Sequence, residues 1–366
     1  MSIDIVIVNY RSAADVERCL ECLGPWPRGL VWLVDNSEQA AEAQALARLA
    51  ADRPWVRLTV APRNLGFGAA CNLAYAASSA PRVLLLNPDA LIEPGEVDRL
   101  AGALALDPTL GAVSPTTYWN VERSFALPPP TVQGPAATTL PTLLARSPAL
   151  AFWRGRHLVR AERRRLAEPS TRYVRTLAGA VLMLNRRAVD AAGGLFDPRF
   201  FMFYEDTDLS RRLRRSGYRL ALVGGASAVH TYRHKASKEA AMERSCQQYF
   251  EKNHPAFYRW TDRFAMIGMM TARAGAKHWL ERPGGGSPGS APEFNATAGG
   301  AVLAFSPSPW LWPALLRPPG VELRGFDDAE WDLLEPGGYA VLISADDAGR
   351  DTRWVYFEKP ATRSIG

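Results

Sequence analysis

Val83-Leu84-Leu85-Leu86 is an unbroken apolar run that stops at Asn87-Pro88-Asp89. A run with neither helical spacing nor alternation predicts a strand covered on both faces, and such strands belong to parallel sheets wrapped by helices. Ligands of open α/β sheets bind beyond the carboxyl ends of the strands, so this turn would hold the Asp89 carboxylate over a crevice. Pro88 fixes its own φ and keeps Asn87 extended, which makes the turn rigid. A rigid carboxylate suits a hard cation: Mg²⁺ typically takes one or two protein carboxylates and fills its shell with water and phosphate oxygens. Taken alone, the turn is more simply explained if Asn87 and Asp89 only satisfy backbone groups, and the rest of the chain must separate the two readings.

The preceding residues repeat the same grammar. Ile3 to Asn9 reads as a strand, followed by Ser12 as N-cap and a helix whose apolar stripe is Ala13, Val16, Cys19, Leu20 and Leu23. A second strand, Leu30 to Val34, ends in Asp35-Asn36-Ser37; residues 38 to 53 are helical, and Val56 to Val60 is a third strand. The loop Pro62 to Asn72, with Gly66 and Gly68, runs into a helix over Ala69 to Ser78. Strand, helix, strand with polar strand ends opens a nucleotide-binding sheet. A dinucleotide fingerprint would need its glycines after the first strand, so hydride transfer on NAD is disfavoured. Further on, Pro94 to Leu106 is a helix, and Gly111 to Ser114, Leu177 to Leu184 and Tyr218 to Val223 are strands. Gly179 marks a close backbone approach within its strand.

Phe200 to Tyr218 is the second anchor. Acids crowd its first helical turn, arginines the last, and Gly217 follows, the order a helix dipole favours. Asp208 and Arg212, four apart, predict an ion pair. Glu205 and Asp206 differ, because an aromatic run brings them to the helix start, where a carboxylate can be partly desolvated and aimed into a cleft.

Composition narrows the classes. The 366 residues, 47% hydrophobic and 22% charged, suggest two domains with a large core, and the net charge of +6 favours anionic partners. Four cysteines cannot build a disulfide framework, and the Cys19/Cys22 pair reads as packing on the first helix and not as a redox or zinc site. The first residues enter a strand at once, with no signal peptide expected, and no apolar run reaches the ~20 residues of a spanning helix. A cytoplasmic protein is the expectation.

These motifs, in this order, resemble the family 2 glycosyltransferases, inverting enzymes of the GT-A fold, and most closely their bacterial rhamnosyltransferase-like members. The resemblance covers roughly residues 3 to 255 and rests on Val6-Ile7-Val8-Asn9-Tyr10, Val34-Asp35-Asn36-Ser37, Asn64-Leu65-Gly66-Phe67, Leu86-Asn87-Pro88-Asp89, Phe201 through Leu209, and His230. It implies a mixed α/β nucleotide-binding sheet flanked by helices. Asn9 and Tyr10 would line the nucleoside pocket with Asn64, Gly66 and Gly179 nearby, and Asp35 would accept a hydrogen bond from a pyrimidine. Asn87-Pro88-Asp89 stands where the family has D-x-D, so Asp89, with His230, would hold Mg²⁺ or Mn²⁺ on the donor diphosphate. Asn87 replaces the first acid of that motif, leaving one charge fewer for the cation. Asp206, in the Glu205-Asp206 pair, matches the catalytic base. The implied reaction is inverting transfer from a nucleotide sugar, dTDP-rhamnose for preference over a UDP-sugar, to a glycan or lipid-linked glycan acceptor of a surface polysaccharide. A sugar-nucleotide pyrophosphorylase would want a glycine-rich basic loop after the first strand, which Asn9-Tyr10-Arg11-Ser12 lacks; a non-catalytic polysaccharide-binding protein is the other alternative.

The expected organisation is a glycosyltransferase domain over 1–255 with a variable acceptor-side insertion at 124–172, an amphipathic helical extension over 256–283, a flexible linker at 284–291, and a small β-rich domain over 292–366. The insertion carries Arg154, Arg156, Arg160, Arg163, Arg164 and Arg165, by default a solvated helix face. Phe250 to Lys277 interleaves aromatic and basic residues, which suits either packing on the catalytic domain or a peripheral contact with an anionic membrane surface. Nucleic acid is not an expected partner.

Overall fold

The computed structural model describes residues 2–131, 133–134, 147–168, 170–231, 239–257, 301–306, 314–319, 326, 328–344 and 352–359. The expected helical extension beyond residue 257, including Arg259, Arg263 and Arg273, and the linker lie outside them.

The larger sheet is mixed, with strand order β3-β2-β1-β4-β8-β6-β9-β5. Its parallel half comprises β1 (Ile3–Asn9), β2 (Val31–Asp35), β3 (Val56–Val60) and β4 (Arg82–Leu86). The apolar run therefore lies inside the sheet, and Val83 to Leu86 are at most 2% exposed. The antiparallel β8 (Val181–Asn185) joins β4 to β6 (Leu110–Tyr118), which runs parallel to β9 (Arg219–His230). The two-residue β5 (Ala90–Leu91) pairs with the end of β9, and β7 (Arg172–Val174) pairs with its start. Helices α1 (Ala13–Leu23), α2 (Ala40–Ala51), α3 (Phe67–Ala77) and α4 (Pro94–Leu106) supply the connections, and their apolar stripes build one core on each sheet face.

Four expected boundaries shift. Helix α3 starts at Phe67, because the Phe67 N–H is already taken by the Phe201 carbonyl at 2.8 Å. Strand β8 begins at Val181 and not at Leu177, since residues 177–180 form a turn whose N–H groups serve the helix α7 (Glu205–Arg215): Leu177 donates to Ser210 Oγ at 3.1 Å. Strand β6 extends to Tyr118, and β9 runs on to His230 through Gly224-Gly225, where its register against β6 shifts by a bulge.

A four-stranded antiparallel sheet, β11-β10-β12-β13, forms from β10 (Ala301–Ser306), β11 (Leu315–Leu316), β12 (Gly337–Ser344) and β13 (Thr352–Lys359). It shares its core with residues just after β6: Trp119 and Phe125 pack edge-on to Phe305 at 5.4 and 4.8 Å. Ala126 exchanges two backbone hydrogen bonds with Leu316. Helix α5 (Pro148–Ala167) packs on the same unit: Val159 is fully buried, and the buried Arg163 donates through Nε to the Arg317 carbonyl at 2.8 Å. The arginine-rich helix is therefore not purely a solvated face.

Candidate active site

Helix α7 opens the site, and its entry is strained. Phe203 and Tyr204 take φ of 71° and 65°, left-handed values that cost a bulky residue energy and persist only when the surroundings impose them. The surroundings are α6 (Arg186–Ala191), α3 and α8 (Glu239–Asn253). Ser245 donates to the Met202 carbonyl at 2.7 Å, and the Tyr204 and Tyr249 rings lie 5.4 Å apart. The expected Asp208–Arg212 pair is present at 2.8 Å, and the fully buried Asp208 also meets Lys252 at 2.7 Å. This pins α7 to α8 and leaves Asp208 structural.

The α7 entry places the two remaining acids differently. Asp206 is half-buried; its Oδ2 accepts the Gly179 N–H at 2.9 Å, and its Oδ1 accepts the Thr207 N–H and hydroxyl at 2.6 and 3.2 Å. Burial raises the Asp206 pKa above its ordinary value, outweighing those donors. Glu205 is 5% exposed beside Gly68 and Cys71 on α3, and its Oε2 is buried without a hydrogen-bond partner. Burial, reinforced by the neighbouring Asp206 charge, pushes its pKa well above the usual value.

The Gly179-Ala180 turn ties this helix to the Asn-Pro-Asp turn. Gly179 holds Asp206, and the next residue's carbonyl accepts the Asn87 N–H at 2.8 Å. Asn87 Oδ1 is buried with no hydrogen-bond partner. Two residues on, Asp89 Oδ1 stands 3.3 Å from His230 Nε2, because β5 aligns Ala90 with His230 and Thr231 donates its N–H to the Asp89 carbonyl. A carboxylate 38% exposed, an imidazole at its side and an unsatisfied amide oxygen nearby suit a hydrated divalent cation completed by phosphate oxygens. Among the described residues no cage of three His, Cys, Asp or Glu forms, so a cation would depend on water and ligand for most of its shell.

The nucleoside side is built from strand ends. Asn9 and Asp35 are register partners at the ends of β1 and β2. Asn9 is fully buried and uses its whole hydrogen-bonding capacity: Nδ2 donates to Asp35 Oδ1 and Glu42 Oε2, both at 3.0 Å, while Oδ1 accepts from the Ser12 N–H and hydroxyl. Its side chain therefore orients Asp35 and does not itself face a ligand. Asp35 Oδ1 takes Asn9 and the Ser37 N–H, and no described residue donates to Oδ2. Tyr10, which follows Asn9 in the chain, is 47% exposed. Asn36 bonds Asn64 at 2.9 Å and the Leu65 N–H at 2.8 Å, fixing the Asn64-Leu65-Gly66 loop. Gly66 has φ +82°, and a β-carbon there would meet the Phe201 carbonyl at 2.4 Å. The glycine loop and the aromatic run are thus packed backbone on backbone.

Sequence reasoning missed Glu42, Asn36 and Thr207 as supports. Asn36 lies within Val34-Asp35-Asn36-Ser37, but Glu42 carries no local signal, since its bond spans from α2 back to β1.

Residues 2–250 match the model of the glycosyltransferase-like family 2. The N-acetylglucosaminyl-diphospho-decaprenol L-rhamnosyltransferases of two Mycobacterium tuberculosis strains are each 30% identical over 291 residues, covering 74% of this chain and 91% of theirs. Among solved structures, a mannosyltransferase of Pyrobaculum calidifontis in complex with GDP-Man and Mn²⁺ superposes with a TM-score of 0.50 at 18% identity, over 78% of this chain and 76% of that one, a likeness of fold. The order of motifs, the mixed sheet and these matches agree: the chain belongs to the family 2 glycosyltransferases and is rhamnosyltransferase-like.

Proposed function

We propose that this glycosyltransferase moves rhamnose, with inversion, from dTDP-rhamnose to a diphosphate-lipid-linked glycan in cell-wall polysaccharide synthesis. The observation that carries this reading is the Gly179-Ala180 turn, which ties the Asn87-Pro88-Asp89 turn to Asp206 through two adjacent residues. Donor diphosphate and acceptor base would then sit on either side of one reacting carbon. Asp206 takes the proton of the acceptor hydroxyl as that oxygen bonds to the anomeric carbon, and the bond from that carbon to the diphosphate breaks on the far side. Burial keeps Asp206 basic, and the Gly179 and Thr207 donors hold it in orientation. Glu205, protonated behind it, positions the helix entry without adding charge.

Asp35 Oδ2 would take a pyrimidine N–H and the Tyr10 ring would cover the nucleoside. Asp89 and His230, with Asn87 Oδ1 in support, would hold Mg²⁺ or Mn²⁺, which neutralises charge on a leaving diphosphate when bound. The mycobacterial relatives favour the rhamnosyl donor and the diphospho-lipid acceptor. Such an acceptor would bring the protein to a membrane surface, although among the described residues no helix is long and apolar enough to cross one.

Incubation with a panel of radiolabelled nucleotide sugars and N-acetylglucosaminyl-diphospho-polyprenol tests the reading. Label should reach the lipid from dTDP-rhamnose, with the anomeric configuration reversed. Transfer from another donor, or retention of configuration, would overturn it.

A further inference from the structure

Beyond Asp206, α7 presents Thr207, Arg211 and Arg214 at spacings of four and three, one face of the helix. Thr207 contacts the Asp206 carboxylate, so this face starts at the candidate base, and Arg214 lies about 12 Å further along the axis at the α-helical rise. Arg175, Arg211 and Arg215, all of its own sign, act on Arg214, which also faces the Tyr249 phenol. Arg211 and Arg215 also act on His254, just after α8. Among the described residues no carboxylate lies within ion-pair distance of these four arginines, and the nearby Asp208 is occupied by Arg212 and Lys252. The helix dipole accounts for cations in the last turn of α7. It does not account for Arg175, which stands between β7 and β8. Nor does it account for three buried nitrogens without a hydrogen-bond partner, Arg211 Nε, Arg214 Nε and His254 Nε2. Buried donors left unpaired are costly, and a gathering of like charges calls for an anion.

We propose that Arg175, Arg211, Arg214, Arg215 and His254 form the subsite for the diphosphate of a polyprenyl-diphosphate-linked acceptor. The donor diphosphate belongs at the Asp89–His230 turn, so this is a second anion position, placed along the catalytic helix at about the reach of one sugar ring and its phosphates. Guanidinium groups meet phosphate oxygens with paired N–H bonds, and several of them match a group carrying two phosphates. Burial, and then the flanking arginines, depress the His254 pKa, so the imidazole stays neutral and adds a hydrogen-bonding nitrogen without further repulsion. An apolar cluster adjoins the cations: His254 packs on the buried Tyr249 and Phe250, and the half-buried Phe257 lies 5.9 Å from Phe250. Phe257, at the edge of that cluster, is the ring an isoprene unit behind a diphosphate would meet. The inference rests on the lipid-linked acceptor of the proposed function.

Calorimetric titration of geranyl diphosphate into the full chain, without donor or metal, tests it. Binding is expected in the wild type and in Asp89→Ala, weakened at least tenfold in Arg214→Gln and in the exposed-site variant Arg175→Gln, and partly restored in Arg214→Lys. Geraniol should not bind. Arg175→Gln gives the same reading should Arg214→Gln fail to fold. Loss of binding in Asp89→Ala with competition by a nucleoside diphosphate would assign the anion to the donor site and overturn the proposal, as would unchanged binding in both arginine variants or no binding to the wild type. Failure of sugar transfer with every donor would sink the proposed reaction while leaving this titration to stand or fall alone.

Discussion

The Gly179 N–H donates to Asp206 Oδ2 across 2.9 Å, while burial drives the pKa of the same carboxyl upward. A base must be ionised to accept a proton, so transfer is lost as pH falls through the folded-state pKa, here raised above the ordinary aspartate value. The acid limb of kcat should therefore lie higher than an exposed aspartate would give. Thr207→Val removes one donor to the ionised form and should move that limb further toward neutral pH. A pH–rate profile of both proteins checks it; a limb that stays put in Thr207→Val would show that Thr207 does not set the Asp206 proton.

Glu205 supplies a stability prediction of definite sign. Its folded pKa is raised by burial and by the Asp206 charge, so the folded state keeps a proton that the unfolded chain has released. Stability contributed by the protonated group is complete below the unfolded pKa and drains as pH rises through the folded value. Glu205→Gln removes that dependence and should gain stability over the wild type increasingly toward the alkaline end. Denaturant midpoints measured across pH should diverge upward; parallel curves would contradict the assignment.

Gly66 sits at φ +82° and ψ 164°, a region open essentially to glycine alone, with the Phe201 carbonyl where a β-carbon would go. Gly66→Ala should cost about 1–3 kcal/mol in strain alone and displace the aromatic run that positions Asp206. Its thermal midpoint and its kcat should fall together. Gly95→Ala, where a β-carbon meets nothing within 4 Å, is the control expected to be neutral.

Asp89→Ala should weaken the dependence of donor binding on Mg²⁺ or Mn²⁺, and His230→Ala should weaken it less, since a hard cation prefers the carboxylate oxygen. Calorimetry with and without metal reads both. Donor affinity that never depended on metal would remove these residues from a cation site.

The parallel half of the sheet was legible because Val83 to Leu86 and its neighbours are buried on both faces, and burial of that kind writes itself as uninterrupted apolar sequence. Strand β9 was underread because Gly224-Gly225 looks like an ending, whereas a bulge lets pairing resume at Ser227. Residues 177–180 looked like strand because they are as apolar as the strand they precede; only the side of α7 facing them makes them a turn. The family resemblance pointed to Asp35 and, together with the aromatic run before α7, to Asp206, but the full engagement of Asn9 depends on Glu42, thirty-three residues away. Likewise no local signal joins Trp119 and Phe125 to a sheet that starts at Ala301, a tertiary contact between chain segments far apart in sequence.

The central claim is that Asp206 removes the acceptor proton and does not bind the donor. Asp206→Asn keeps the shape of the side chain and can still accept one hydrogen bond, so its donor affinity by calorimetry with metal should stay within about threefold of wild type while transfer falls by roughly 10²–10⁴. Equal loss of donor binding and transfer would make Asp206 a structural support of the helix entry, and the account of the reaction would fail.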